Sequence, residues 1–457
     1  MATENNNKSL NHSVKREQSE FTHFAECENE RGSSLLNVPN KGEQSQTCLS
    51  YADRAEQSPQ GNVPNKRAQS QVYLNYAEHE EHLHKENVPN LRFPEFSKPY
   101  SQTTISKLAT IVGGGTPDTI VQEYWNGGIQ WFTPSEIGKK KYADKSERTI
   151  SQEGLNNSSA KLLPINTILL STRATIGESS IAKVECCTNQ GFQSLIANEK
   201  IVCYEYMYYL VATLKKELIR KSCGSTFLEI SANELRKIKT FVPTKAEQNK
   251  VVSILSLLDD RIATQIKIIE KLESLIRGLY ERLFNIDGAA YIQLGNVAKI
   301  QKGQQINGEE LSEMGSYYVM NGGVVPSGYL EDFNTPANTI SISEGGSCGY
   351  VQYNGVPFWS GGHCYTLIEP INSFNYKYLF HYLKFKEQSI MALRIGSCLP
   401  NIQKKDLERF PILNVSKEVQ DKMACIFDDI LDRIICERQI ALKYEEQKKY
   451  LLSNLFI

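Results

Sequence analysis

The chain has 457 residues, 40% of them hydrophobic and 23% charged, with a formal net charge of −1. At about 150 residues per domain, that is the length and composition of roughly three soluble modules. No run approaches the roughly 18 apolar residues of a membrane helix, and the opening MATENNNKSL lacks the apolar stretch of a signal peptide, so neither a membrane partner nor export is expected, and a cytoplasmic location is.

Eleven cysteines without a CxxC pair read as scattered reduced thiols, and no metal site is expected. Charge is unevenly spread. Residues 1–92 carry 10 basic and 13 acidic groups, whereas residues 97–245 carry 19 and 13. Residues 246–286 balance at 6 and 6, residues 287–415 carry 9 and 11, and residues 416–457 carry 7 and 8. Only 97–245 is clearly basic, which permits nucleic-acid binding there.

Residues 1–91 form a polar tail. NVPN recurs at 37–40, 62–65 and 87–90, a period of 25, and Tyr51-Ala52 matches Tyr76-Ala77. Each copy offers few apolar side chains, too few to offset the entropy of ordering it. A largely disordered tail is expected rather than a solenoid, with His79, His82 and His84 as solvated residues rather than metal ligands.

A second repeat, of 172 residues, organises the rest. Asn166-Thr167-Ile168 meets Asn338-Thr339-Ile340, Gly177 meets Gly349, Leu195-Ile196 meets Leu367-Ile368, and Tyr206 meets Tyr378. Residues 248–284 align without a gap on 420–456, with 12 of 37 positions identical. One offset held over more than a hundred residues implies a tandem pair of similar units, so each element should have a twin.

Each unit begins with a globule. In the first, 92–243, the run 167–172 reads as a buried strand and 205–221 as a helix, and Ser231 with Glu234 makes a capping box. The second globule spans 287–415. Frequent Gly- and Asn-rich turns place both in the α+β class.

Each unit ends in a long helix, at 244–286 and 416–457. Thr244 and Glu247 form a capping box, and Ser416 keeps the cap hydroxyl. In the first helix apolar residues recur at heptad spacing: Leu255, Leu258, Ile262, Ile269, Leu272, Ile276, Leu279 and Leu283, with Gln265 in the one polar slot. The twin slots hold Phe427, Ile430, Ile434, Glu437, Ala441, Tyr444, Lys448, Leu451 and Leu455. This pattern predicts that the helices pair as a coiled coil, not that each lies alone on its own globule.

Catalytic motifs are missing. There is no GxxxxGK[ST] phosphate loop, no GxGxxG after a strand, no HExxH and no [DNS]PP[YFW] run. Gly345-Gly346-Ser347-Cys348-Gly349 reads as a tight turn, and His363-Cys364 are too close in sequence to make a catalytic pair. No catalytic residue is assigned.

Binding signals are better. In the first globule Lys139, Lys140 and Lys141 follow Trp131-Phe132, Arg173 follows the predicted strand, Lys215, Lys216, Arg220 and Lys221 share a predicted helix, and Arg236, Lys237 and Lys239 cluster near a helix start. In the second, Lys302, Lys384, Lys386, Arg394, Lys404 and Lys405 hold related places. Such side chains can neutralise phosphates, and Arg can also read base edges.

Residues 92–457 resemble the specificity subunit of a bacterial type I restriction–modification enzyme. The residues that carry the resemblance are Arg92-Phe93-Pro94-Glu95-Phe96, Pro243, Glu247-Gln248, Ile254-Leu255, Asp259-Asp260-Arg261-Ile262 and Leu283-Phe284, together with the repeated globule–helix plan. The resemblance implies two target-recognition domains, each reading half of a split double-stranded DNA site. It implies antiparallel spacer helices that dock two methyltransferase subunits, with adenine methylation, cleavage and translocation performed by methyltransferase and restriction subunits. It implies no cofactor in this chain, with S-adenosylmethionine, ATP and Mg on those partners. Two features depart from the family plan: Val419 stands at the twin position of Glu247, and the repeat-bearing tail has no counterpart. The rival reading is a stand-alone or fused methyltransferase or endonuclease; a third is a coiled-coil interaction protein with no DNA role.

Overall fold

The computed structural model describes residues 87–173, 175–223, 228–396 and 400–457. The 25-residue repeats up to residue 86, with His79, His82 and His84, lie outside the described residues. The described chain falls into two compact units, one of residues 87–263 with Leu442–Ile457, the other Thr264–Ala441.

The unit containing the first globule has ten strands: β1 (Ser101–Thr104), β2 (Ala109–Gly113), β3 (Trp125–Phe132), β4 (Tyr142–Ala143), β5 (Arg148–Ile150), β6 (Ile168–Leu170), β7 (Ser179–Ala182), β8 (Cys186–Thr188), β9 (Gln193–Ala197) and β10 (Lys239–Val242). They form a five-stranded sheet in the order β2-β9-β6-β7-β4, a three-stranded sheet β5-β3-β8 and the pair β1-β10. The other unit has nine: β11 (Tyr291–Gln293), β12 (Lys299–Lys302), β13 (Tyr317–Met320), β14 (Tyr329–Leu330), β15 (Thr339–Ser343), β16 (Val351–Asn354), β17 (Trp359–Ser360), β18 (Cys364–Ile368) and β19 (Pro411–Leu413). These form β12-β18-β15-β16, β14-β13-β17 and β11-β19. The second set repeats the first, down to a parallel pair in the smaller sheet, β3 with β8 and β13 with β17.

The reasons are local. β6 and β15 are buried along their whole length, as expected for short apolar runs flanked by turn residues. Each follows an asparagine in the left-handed region, Asn166 at φ 69° and Asn338 at φ 58°, a conformation asparagine tolerates better than most residues. Each leads to a glycine at positive φ, Gly177 at 87° and Gly349 at 86°.

The helix expected over 205–221 is two, Tyr204–Thr213 and Lys215–Arg220. The twin breaks at the same place, into Tyr376–Phe385 and Glu387–Met391. Across the break Leu218 and Ile390 remain fully buried.

The long helices are continuous, Lys245–Phe284 and Lys417–Leu455. In the first unit, Val251, Leu255 and Leu258 pack in one core with Leu451, Leu455 and Phe456. There Lys448 Nζ lies 2.5 Å from Asp259 Oδ1, and Arg261 donates to Tyr444 Oη at 3.3 Å. In the other, Ile276, Tyr280 and Phe284 pack with Met423, Ala424 and Phe427, and Arg438 pairs with Glu273 at 2.5 Å. Within each unit the start of one helix therefore lies against the end of the other.

Among the heptad slots, Leu255, Leu258, Ile276, Phe427, Ile434, Leu451 and Leu455 are buried, while Ile262, Ile269, Leu272 and Ile430 are half-buried. Leu279 and Leu283 are half-buried, and the side chains enclosed beside them are Tyr280 and Phe284. The reason is that this end of the helix faces a globule core as well as another helix. Gln265 and Glu437, the twin polar slots, are both buried and hydrogen-bond to each other.

Candidate nucleic-acid interface

The sheets of each globule have two unlike ends. One end is committed to the long helix. Gln248 is fully buried; its Oε1 accepts from Cys203 N at 3.0 Å, and its Nε2 donates to Ile201 O and Pro243 O, both at 3.0 Å. Gln420 repeats the clasp, accepting from Asn375 N at 2.7 Å and donating to Val415 O at 2.8 Å. Each clasp satisfies loop and cap backbone groups that would otherwise be buried unpaired.

The other end of the sheets is an open rim of loops. In the first unit the loops after β2, β3, β6 and β8 converge there. Asn189 N donates to Phe132 O at 3.1 Å, Thr172 N to Gly191 O at 2.8 Å, and Thr116 Oγ1 to Gln190 Oε1 at 2.6 Å. A β-carbon on Gly114 would overlap the carbonyl oxygens of Thr188 and Asn189, so only glycine lets these two loops touch. The other unit builds the same rim. Gly361 N donates to Met320 O at 2.8 Å, and Glu344 N to His363 O at 2.9 Å. Gly303 meets the carbonyls of Ser360 and Gly361 as Gly114 meets those of Thr188 and Asn189. A short hairpin docks behind each rim: Ile230 N donates to Thr172 O at 3.3 Å, and Ile402 N to Glu344 O at 3.0 Å.

The sequence-predicted cations fall into three groups. Arg173 lies on the first rim, exposed, with Nε 2.7 Å from Glu229 Oε2. Lys302 lies on the second, 2.8 Å from Glu344, and Arg394 is exposed at the start of its hairpin. A second group is surface charge. Lys139, Lys140, Lys216 and Lys405 are exposed and have no ion pair among the described residues, while Arg236 donates to Asn233 at 2.9 Å. Lys215, Lys237 and Lys404 are exposed but paired with Glu178, Glu234 and Glu408.

The third group is committed to the interior. Lys141 donates to Glu205 Oε1 at 3.2 Å, Tyr209 Oη at 3.1 Å and Ser256 Oγ at 2.8 Å, so it ties the globule to the long helix. Lys384 donates to Val351 O and Glu387. Charge alone identified these residues, and charge does not distinguish a phosphate contact from a buried tie. Gln190, Gln305 and His363, exposed on the rims, carry no net-charge signal and were missed. The signal that finds them is the pairing of loops across the repeat.

No group of His, Cys, Asp and Glu among the described residues is placed to hold a metal, and no described helix is long and apolar enough to cross a membrane. Cys364, next to His363, is enclosed, and burial pushes its thiol up to about 11, the opposite of a reactive thiolate.

A family model described as the type I restriction modification DNA specificity domain matches residues 98–274 and 287–445, together more than half of the chain. The chain belongs to that family. Its relatives include the type I restriction enzyme MjaIX specificity subunit of Methanocaldococcus jannaschii, 26% identical over 78% of this chain and 93% of the relative. The EcoprrI specificity subunit of Escherichia coli is 25% identical over 73% of this chain and 88% of the relative. The crystal structure of a type I restriction-modification S subunit from M. genitalium covers 81% of this chain and 99% of its own, with a TM-score of 0.59 at 20% identity. That likeness shows the shared fold. As a member of the family the chain is a DNA-specificity subunit, and it is non-catalytic.

Two of the sequence motifs now meet. Arg92, from the opening Arg92–Phe96 run, forms a two-pronged pair with Glu247 at 2.8 Å. Glu247 is buried and Val419, its twin, is exposed. A buried carboxylate needs such a partner; position 419, open to solvent, does not.

Proposed function

We propose that this chain reads a bipartite double-stranded DNA target, one half with each globule. It carries that choice to two methyltransferase subunits and to restriction subunits, which methylate adenine and cleave. On this reading S-adenosylmethionine, ATP and Mg belong to those partners. The observation that supports it best is the repetition of the rim: two open loop ends, built by twin hydrogen bonds, suit two half-sites.

The domain plan follows. Residues 92–243 and 287–415 are the recognition domains, and 244–286 and 416–457 are spacer helices pairing as an antiparallel coiled coil, which the contacts within each unit support. Exposed Lys139, Lys140, Lys216, Lys405, Arg236 and Arg394 serve as phosphate contacts, while Arg173 and Lys302 face the DNA from the rims.

The test is a domain exchange in the assembled complex, read by sequencing methylated adenines. Replacing 97–243 with a foreign recognition domain should change one half of the target and leave the other. Both halves changing together would sink the modular reading. The rival enzyme reading fails if purified chain shows no methyl transfer, cleavage or nucleotide hydrolysis by itself. Lys216→Ala and Lys139→Ala should each weaken duplex binding evenly across sequences and lower the salt slope by roughly one.

A further inference from the structure

Reading two different half-sites needs side chains that differ between them, held on a backbone that does not. The rims have that form. Their loops are joined by main-chain hydrogen bonds at twin positions, Thr172 to Gly191 and Glu344 to His363, 2.8 and 2.9 Å long. They are drawn together by Gly114 and Gly303, where any side chain would collide with neighbouring carbonyls. The backbone therefore presents the same few positions in both globules whatever side chains stand there.

Those positions hold different chemistry. Arg173 and Gln190 project from the first rim, where their twins are Gly345 and Gly362. Gln305 and His363 project from the second, where His363 is the twin of Gly191. All four are exposed. Glu229 holds Arg173 from the hairpin side at 2.7 Å. His363 is fixed through its own backbone, whose N–H donates to Asn321 Oδ1 at 3.1 Å. Exposed Arg, Gln and His are base-edge groups: Arg pairs with the two acceptors of guanine, and Gln with the acceptor and donor of adenine. The opposite end of each sheet cannot do this, because Gln248 and Gln420 commit it to the helix.

We propose that Arg173 and Gln190 read bases in one half-site, and that Gln305 and His363 read bases in the other, each through the major groove of double-stranded DNA. This inference rests on the DNA-recognition reading above.

The experiment uses the full chain assembled with its methyltransferase subunits. Methylated motifs are mapped by sequencing, and binding is measured on duplexes carrying each single base-pair change. Arg173→Ala and Gln190→Ala should each lose discrimination at one position of one half-site, by roughly 5- to 150-fold, and leave the other half unchanged. Gln305→Ala and His363→Ala should do the same in the opposite half. Arg173→Lys is the second variant. It keeps the charge and loses the planar fork, so it should relax the same position while affinity for non-target duplex stays within about twofold. If all five variants keep the wild-type motif and discrimination, or if one variant relaxes both halves, the rims are not the readers. If the wild-type complex shows no sequence preference, the DNA-recognition reading itself has failed, a result distinct from unchanged variants in a selective complex.

Discussion

The two globule–helix joints are twins in backbone and differ in chemistry. Both are clasped by a buried glutamine, and both receive a phenylalanine from a helix end. Phe456 stacks on Tyr206 at 5.0 Å, and Phe284 meets Tyr378, the twin of Tyr206, at 5.6 Å. Around that frame the first joint is ionic: Lys141, Glu205, Asp259 and Lys448 surround Tyr209, and Arg92 pairs with Glu247. The second is mainly aromatic, with one charged cluster of Lys377 and Asp428 beside His381. Phe284 also meets Tyr280, Tyr382, Phe385 and Phe427, with centroids 5.3–5.6 Å away. At position 209 the first joint has tyrosine; at 381 the second has histidine. A repeated backbone contact does not require its neighbours to be repeated, provided each set satisfies its own charges.

The comparison is broken most forcefully at the two phenylalanines. Phe284→Ala and Phe456→Ala each empty an enclosed site, and such truncations cost about 3–5 kcal/mol. Phe284 should fall at the upper end, since each well-placed ring pair is worth roughly 0.5–1.5 kcal/mol beyond area. Urea unfolding of the two variants checks this. A larger loss for Phe456→Ala would show that ring number does not set the strength of these joints.

The clasps come next. Gln248→Ala leaves Cys203 N, Ile201 O and Pro243 O without the glutamine, and Gln420→Ala leaves Asn375 N and Val415 O. Buried groups deprived of a partner cost about 1–3 kcal/mol. Both variants should lose stability in that range, with Gln248→Ala the greater by its extra bond. Hydrogen exchange at Cys203 and Asn375 amides reads each clasp directly. If those amides stay protected in the variants, other partners replace the glutamines and the clasp is not what holds the loop.

The buried twin pair Gln265 and Glu437 offers a smaller test. Gln265→Leu alone leaves Glu437 buried without its amide partner and should cost about 1–3 kcal/mol. Adding Glu437→Leu should recover most of that loss, because apolar residues often replace a buried polar pair at little cost. A double variant as weak as the single would mean that the pair contributes net stability here.

Much of this was legible in the sequence. The 172-residue offset located β6 against β15 and β9 against β18, and it gave the twin glutamines and the closing phenylalanines. The early strands were not legible. Ile111 pairs with Leu195 and Ile300 with Leu367, so the later strands keep the offset of 172 while β2 and β12 stand 189 apart. The first globule is longer between these points, and a single offset loses the loops after β2 and β3 there. Those loops build half of each rim, which is why Gln305 escaped notice. The lysines were legible only as charges: Lys139 and Lys141 look alike in sequence, yet one faces solvent and the other is tied to Glu205, Tyr209 and Ser256.

The mildest prediction separates the joints by acidity. His381 has no solvent exposure; its Nδ1 accepts the Tyr280 hydroxyl at 2.8 Å, and its Nε2 donates to Asp428 at 2.9 Å. Burial lowers its pKa from the ordinary value near 6.5, more than the Asp428 contact raises it, and the Lys377 charge lowers it further. A folded state that refuses a proton the unfolded chain accepts loses stability as pH falls. The loss should begin as pH drops through about 6.5 and continue down to the lowered folded value; above that range His381 contributes no pH dependence. Burial pushes Asp428 up, but the His381 and Lys377 contacts together hold it below its usual value, so its own loss comes only below about pH 4. Tyr209, the twin of His381, is pushed above its usual value by burial and by Asp259, so it stays protonated throughout. Hydrogen exchange, corrected for intrinsic rates, should therefore show the helix Tyr376–Phe385 losing protection between pH 7.5 and 5.5 while Tyr204–Thr213 does not. In His381→Gln, which keeps a donor and an acceptor without titrating, the two helices should respond alike. A difference that survives the substitution would assign the acid response to some other group.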